Sequence, residues 1–297
     1  MKSRLPGFYK MTIDERLALL RDRELISEDE WQMLRGSEQV LSNIQADNMV
    51  ENVIGVFGLP MGLGLNFLVN GQDYAVPLVV EEPSIVAALS SAAKTMLAGG
   101  GFTVETDRPM LIGQVQIVDV PHPSKARKLL LEHQESILNL ANSLHPKMVA
   151  RGGGAKELEV EILSATGSSG DMVVCNLIVD TCDAMGANMV NTMCEGIASH
   201  IEELTQGRVF LRILSNLTDR AMVRASCRVA PEHLATKEWS GEEVRDGIIL
   251  ANDFAIADPY RATTHNKGIM NGIDAVAIAT GNDWRAIEAY KGRDDNP

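Results

Sequence analysis

Glu157-Leu158-Glu159-Val160-Glu161-Ile162-Leu163 alternates strictly, with Leu158, Val160 and Ile162 on one side and the three glutamates on the other. A period of two residues marks a strand with one buried face. Before it, Leu111 to Val120 reads as a strand and Ser124 as the cap of a helix reaching about Asn142. After it, Met172 to Val179 is another strand. Met185, Met189, Met193, Ile197, Ile201 and Leu204 then recur at helical spacing, a stripe that suits a core better than a ligand site, and Gly207 ends that helix. Val209 to Leu214 is the last strand, so the order is βαββαβ.

That order implies a small ferredoxin-like unit over residues 109–216. It interrupts a larger domain made from 1–108 and 217–297. The expected fold class is therefore α+β: a large, mainly helical domain with a β element, interrupted by a small ferredoxin-like domain. In the larger part, Thr12-Ile13-Asp14-Glu15 is a capping-box pattern and a second helix opens at Ser27. Residues 51–80 read as β structure turning at Asn70-Gly71. Ser84 caps a helix running to the glycines at 99–101. Ser240-Gly241-Glu242-Glu243 opens a helix that ends near Asp258-Pro259, another covers about Asn266 to Ala279, and a third starts near Asp283.

A length of 297 residues suits about two domains. The apolar fraction is 45% with only 4% aromatic, so aliphatic side chains and the 14 Met must fill the core. A net charge of −13 excludes the basic footprint of a nucleic-acid binder, while leaving room for a local anion site. Cys175, Cys182, Cys194 and Cys227 form no CxxC pair and no zinc spacing, which suits reduced thiols in a cytoplasmic protein. No apolar run is long enough to span a membrane.

Several polar residues stand where a plain core helix would not need them. Lys267 lies in Thr264-His265-Asn266-Lys267-Gly268, read as a helix entrance that suits an anion; the alternative is a solvated lysine. Asp283, in Gly281-Asn282-Asp283, reads equally as a plain helix cap. Glu82 follows Glu81 and precedes Pro83-Ser84, where acids suit a helix dipole. Asp183-Ala184-Met185-Gly186-Ala187-Asn188 follows a strand and opens the Met-rich helix. Small residues there let backbone N–H groups approach a pyrophosphate. No GxGxxG joins a strand to a helix, so a Rossmann fold is not indicated.

Asp258-Pro259-Tyr260-Arg261, the Lys267 and Asp283 segments, Glu51-Asn52-Val53-Ile54-Gly55 and Glu81-Glu82-Pro83-Ser84 together resemble the class II (bacterial) 3-hydroxy-3-methylglutaryl-CoA (HMG-CoA) reductases, over nearly the whole chain. The resemblance implies interconversion of HMG-CoA with mevalonate and CoA by two hydride transfers, in the mevalonate-oxidising direction. It assigns Lys267 to the thioester oxyanion, Glu82 to proton transfer and Asp283 to orienting and tuning the lysine. Ser84, Arg261 and Asn271 match positions that hold the acyl carboxylate and hydroxyl. Asn52 matches a dimer-interface segment that reaches the substrate pocket. The resemblance also implies a non-Rossmann cofactor domain. Its dinucleotide would lie near Asp183, Met185, Gly186, Ala187 and Asn188. The expected assembly is a homodimer with shared active sites, or a trimer of such dimers, with no nucleic acid or membrane partner.

Two departures stand out. His145 occupies the place of the aspartate that meets the adenosine ribose in NAD-preferring members, so NAD is expected with NADP open. Tyr9, beside Lys10, replaces a basic CoA contact. The resemblance further implies a C-terminal segment of on the order of a hundred residues, carrying a flap histidine that protonates the departing CoA thiolate. None of His122, His133, His145, His200, His233 or His265 matches that histidine. The alternative is therefore a catalytically incomplete, dimeric HMG-CoA and dinucleotide binder. A bare ferredoxin-like regulatory module leaves the residues outside 109–216 unexplained.

Overall fold

The computed structural model describes residues 2–36, 41–164 and 170–291. In chain order the elements are α1 (Ile13–Asp22), α2 (Glu28–Arg35), α3 (Asn43–Asp47), β1 (Met61–Val69), β2 (Gln72–Val79), α4 (Ile85–Leu97), β3 (Thr103–Thr106), β4 (Met110–Val118), α5 (Pro123–Glu132), α6 (Gln134–Ser143), α7 (Pro146–Ala150), β5 (Gly154–Ser164), β6 (Asp171–Asp180), α8 (Ala187–Thr205), β7 (Arg208–Ser215), β8 (Val223–Ser226), α9 (Gly241–Ala257), α10 (Pro259–Ala279) and α11 (Trp284–Lys291). Contacts divide the chain into two units. Of the described residues, one unit comprises those up to Val104 with Ala225–Trp284, and the other Glu105–Arg224 with those from Arg285 to Lys291. The connections β3 and β8 form a two-stranded sheet of their own.

The second unit is built on a four-stranded sheet in the order β5-β6-β4-β7, antiparallel throughout. The alternation in β5 behaves as the sequence demands. Leu158 and Val160 are buried opposite Leu177 and Cys175 of β6, while Glu159 on the other face is held by Arg220 at 2.9 Å. Helices α5, α6 and α8 cover the apolar face with Leu130, Ile137, Met193, Ile197 and Ile201, all fully buried. Gly113 marks where α8 crosses β4, because a Cβ there would fall 2.4 Å from Cys194 Sγ. On the opposite face the Gln114 amide donates to Asn176 at 3.0 Å.

The expected single helix from Ser124 to Asn142 is two helices. Pro123 takes the first position of α5, where its fixed φ and missing N–H cost nothing, so Ser124 lies inside the helix and not at its cap. The break falls at His133, whose Nδ1 lies 2.9 Å from the Leu129 carbonyl while Ser136 Oγ donates to the His133 carbonyl. Such local bonds compete with helix continuity. The Met stripe is also shorter than its spacing suggests: Met193 is buried, but Met185 precedes α8 and is 54% exposed. Gln206, at φ 56°, makes the left-handed turn that ends α8, and Gly207 follows it.

The first unit carries the β1–β2 hairpin, turned at Asn70 (φ 49°) and Gly71 (φ 78°) as an Asn-Gly turn requires. Residues 51–60, expected as β structure, are outside any strand, and β1 starts at Met61. The capping boxes at Thr12, Ser27 and Ser240 form, and a fourth forms at Ser42 with Gln45. Ser84 stands at the N-cap of α4, yet with φ 74° its side chain makes no capping bond. The helix expected from about Asn266 begins at Pro259 instead, because Asp258 accepts the Arg261 N–H at 2.7 Å and Pro259 occupies the first position. Ser3, fully buried, ties the N-terminal segment to β2: its N–H donates to Asp73 at 2.8 Å and its hydroxyl donates to the same carboxylate.

Two measurements test this packing. Ile197→Ala should cost about 2–5 kcal/mol in urea unfolding, as a filled core site does. Ile248→Ala on α9, 57% exposed, should stay within about 1 kcal/mol. Burial pushes the Asp73 carboxyl up, yet hydrogen bonds, led by those from Ser3, leave the group below its ordinary value of 3.8. The tie therefore contributes stability above that value and loses it as the pH falls through the lower folded value. Asp73→Asn should flatten the acid limb of the thermal midpoint against pH.

Candidate active site

The loop after β2 carries Glu82 to the start of α4, and the body of α10 carries Lys267 to meet it. Lys267 Nζ donates to Glu82 Oε2 at 2.8 Å, joining residues 185 apart in sequence. The lysine and glutamate side chains are 60% and 43% exposed. An ion pair this wet adds little stability, so its significance lies in where it puts the two groups. Because α10 starts at Pro259, Lys267 sits in the helix interior and not at an entrance. The helix-end argument for its anion affinity does not hold, and the paired carboxylate is its defining neighbour.

Asn271 lies one turn along α10 from Lys267, so the two share a helix face. Arg261 belongs to the first turn of the same helix and is half-buried. Ser84, two residues after Glu82, leaves its hydroxyl exposed at the start of α4, which has no acidic residue in its first turn. Gly281 ends α10 in a Schellman motif: at φ 70° its N–H reaches the Ile278 carbonyl, and the Asn282 N–H reaches Ala277 at 2.8 Å. That turn delivers Asp283, half-buried, to the residue just before α11. Asn52 is exposed in the left-handed region at φ 58°, a conformation asparagine tolerates. Tyr9 is exposed, and the Lys10 ammonium lies 5.6 Å from its ring centre.

In the second unit, Asp183, Ala184, Met185 and Asn188 are exposed around the entrance to α8. Gly186 caps that helix at φ 83°, where a Cβ would strike Thr181 at 2.5 Å. The cap has no side-chain bond and the first turn, with Ala187, has no acid, so this end of α8 suits an anion. His145 precedes α7, half-buried, and its Nε2 is without a hydrogen-bond partner among the described residues. The run Gly152-Gly153-Gly154 ties these pieces together. A Cβ on Gly153 would lie 2.7 Å from Met148 Sδ, 2.8 Å from the Asp180 carbonyl and 2.9 Å from Cys182 Sγ. Thus Gly153 lies between α7 and the loop that leads into residues 183–188. The glycine run is the sequence signal for this close approach. These residues fit a dinucleotide: an uncapped helix entrance for phosphate, with an unsatisfied imidazole nitrogen on the adjoining segment.

Among the described residues, no three His, Cys, Asp or Glu side chains are grouped to hold a metal, and no helix is long and apolar enough to cross a membrane.

Comparison with known proteins identifies the family. Residues 12–291 match the family described as Hydroxymethylglutaryl-coenzyme A reductase. The 3-hydroxy-3-methylglutaryl-coenzyme A reductase of Archaeoglobus fulgidus is 46% identical over 289 residues, covering 97% of this chain and 64% of the relative. A probable reductase of the same name from Borreliella burgdorferi is 34% identical, covering 82% of this chain and 54% of its own length. The chain thus spans between half and two thirds of these relatives. The class II enzyme from Streptococcus pneumoniae, solved bound to NADPH in open conformations, superposes with a TM-score of 0.91 at 47% identity, covering 98% of this chain and 79% of that one. The chain belongs to the hydroxymethylglutaryl-coenzyme A reductase family.

The four cysteines give a direct check on the packing. All are free thiols; Cys227 is exposed, whereas burial pushes Cys175 and Cys194 up to about 12. At pH 8, Cys227 should react with an aromatic disulfide reagent in the native protein, while Cys175 and Cys194 should react only on unfolding. Peptide mapping after timed labelling reads the order.

Proposed function

We propose that this chain carries the acyl and dinucleotide sites of an NAD(P)-dependent HMG-CoA reductase, interconverting HMG-CoA with mevalonate and CoA. The observation that carries the proposal is the 2.8 Å contact between Lys267 and Glu82, within a chain of this family. In this reading residues 109–216 form a ferredoxin-like, non-Rossmann cofactor domain, and 1–108 with 217–297 form the substrate domain. The strand order β5-β6-β4-β7 supports the first assignment. A bound nicotinamide would supply or accept hydride. Asp183, Met185, Gly186, Ala187, Asn188 and His145 would hold the dinucleotide. His145 can hydrogen-bond a ribose 2′-hydroxyl or, when protonated, pair with a 2′-phosphate, so it accommodates NAD and NADP. The NADPH bound by the pneumococcal relative supports NADP as a cofactor.

The side chains of the first unit divide the remaining work. The Lys267 ammonium donates to the thioester oxygen and stabilises the charge that grows on it as the carbonyl becomes tetrahedral. Glu82, already hydrogen-bonded to that ammonium, supplies or removes the proton that reduction to an alcohol needs. Asp283 orients and tunes the lysine. Arg261 forks onto the acyl carboxylate, with Ser84 and Asn271 completing its hydrogen bonds. The route passes through the mevaldyl-CoA hemithioacetal and mevaldehyde. The physiological direction is mevalonate oxidation. A homodimer, or a trimer of dimers, completes each site across the Asn52 segment. The exposed Ile54 and Phe57 beside Asn52 suit that contact.

Reduced nicotinamide formation from mevalonate, CoA and NAD, with NADP in parallel, tests the activity by absorbance. Turnover supports the proposal. Absence of turnover with binding of HMG-CoA favours the incomplete-catalyst reading, and absence of both removes the site. Where turnover is present, Lys267→Ala should lower kcat by on the order of 100- to 1000-fold. Its cofactor Kd should stay unchanged, because Lys267 acts on the acyl group.

A further inference from the structure

Glu82 and Ser84 depend for their position on α4, and α4 is seated on β1 through contacts outside the site. The Leu65 N–H donates to Ser90 Oγ at 3.1 Å, and that hydroxyl donates to the Val86 carbonyl at 2.8 Å. The Asn66 amide, on a backbone at φ 69°, donates to the Ser90 carbonyl at 3.2 Å. Nearer the helix start Gly62 sets the spacing. A Cβ on Gly62 would lie 2.9 Å from Val86 Cγ2 and 3.4 Å from Cγ1. Val86 is in the first turn of α4, two residues beyond Ser84, and a β-branched side chain in a helix has almost no rotameric freedom. Helix α10 meets α4 at Gly272, where Leu89 methyls stand 3.5 Å from the place of a Cβ. That distance is ordinary contact and tolerates small changes. The Gly62–Val86 contact does not.

We propose that Gly62 is a positioning residue: by leaving room for Val86 it fixes the entrance of α4 and so holds Glu82 against Lys267 and Ser84 at the acyl-carboxylate position. The part concerning Glu82 and Lys267 stands on geometry, and the part concerning the acyl group rests on the reductase reading. A methyl at position 62 pushes on the first turn of α4, so the loop bearing Glu82 moves while the Ser90 bonds keep the rest of the helix on β1. Misplacement by about 1 Å costs on the order of 100-fold in the most demanding sites.

The experiment compares Gly62→Ala, Val86→Ala and the double variant with the unsubstituted chain. Two readouts are the Lys267 acylation rate with an amine-reactive ester, followed by peptide mass spectrometry without ligand, and HMG-CoA binding by calorimetry. Gly62→Ala should raise Lys267 acylation about threefold, as loss of an exposed ion pair allows, and weaken HMG-CoA about tenfold. Adding Val86→Ala, which removes both clashing methyls and leaves the nearest atom at 3.6 Å, should restore both. A purely structural glycine would change the thermal midpoint without this paired, reversible change in Lys267. Unchanged acylation in Gly62→Ala, or no restoration in the double variant, overturns the proposal. If the unsubstituted chain does not bind HMG-CoA, the reductase reading of the site falls with the acyl part, while acylation still decides whether Gly62 positions the pair. Should Gly62→Ala fail to fold, Ser90→Ala adds no atom, loosens the same helix, and should raise Lys267 acylation in the same direction; no change there overturns the proposal.

Discussion

The hydrogen bond from the Arg261 N–H to Asp258 sets the phase of α10, and the candidate active site follows from that phase. With the helix started at Pro259, Arg261 falls in the first turn and Lys267 and Asn271 fall one above the other in the interior. An interior lysine cannot borrow from the helix end, so its environment is made by what lies across from it. That partner is Glu82, fixed by a different helix on a different strand. The chemistry attributed to the pair thus depends on two helices being registered against a hairpin.

The two units solve the burial problem differently. In the second, a single apolar face of the sheet is covered by three helices, and side chains such as Leu130, Ile137, Leu177 and Ile197 are wholly removed from water. In the first, buried side chains are scattered in small groups such as Leu5, Leu20 and Leu65. There Ile248, Leu250, Phe254 and Ile256 of α9 remain exposed, as do Ile54 and Phe57. Large exposed apolar residues at this density are a feature of surfaces that receive another surface.

Legibility in the sequence followed the range of the interaction. The strands of the second unit and the boxes at Thr12, Ser27 and Ser240 were legible, because alternation and capping are settled within a few residues. The Ser42 box carries a related pattern, with Gln45 in the place of a glutamate. The start of α10 is not legible locally, because Asp258-Pro259 reads as the stop of α9 while the same pair also opens the next helix. The polar run Thr264 to Asn266 then looked like a turn, although Thr264 bonds back to the Tyr260 carbonyl inside the helix. Family resemblance assigns Glu82 and Lys267 to one site. Their hydrogen bond, across 185 residues, is a product of tertiary packing that no local pattern encodes. Gly153 and Gly62 were hidden for a related reason: each matters through an atom it lacks.

The insertion of Glu105–Arg224 between the two parts of the first unit has a consequence for synthesis on the ribosome. At about 5–20 residues per second, Glu82 leaves the ribosome on the order of ten seconds or more before Lys267. During that interval the hairpin and α4 stand without α10, while every residue of the inserted four-stranded sheet becomes available first. The Lys267–Glu82 pair is thus assembled last, by closure of a long chain segment, and β2 and α4 wait for the helix that packs against them. Crowded translation should tax this protein at its N-terminal third, the part that carries Glu82.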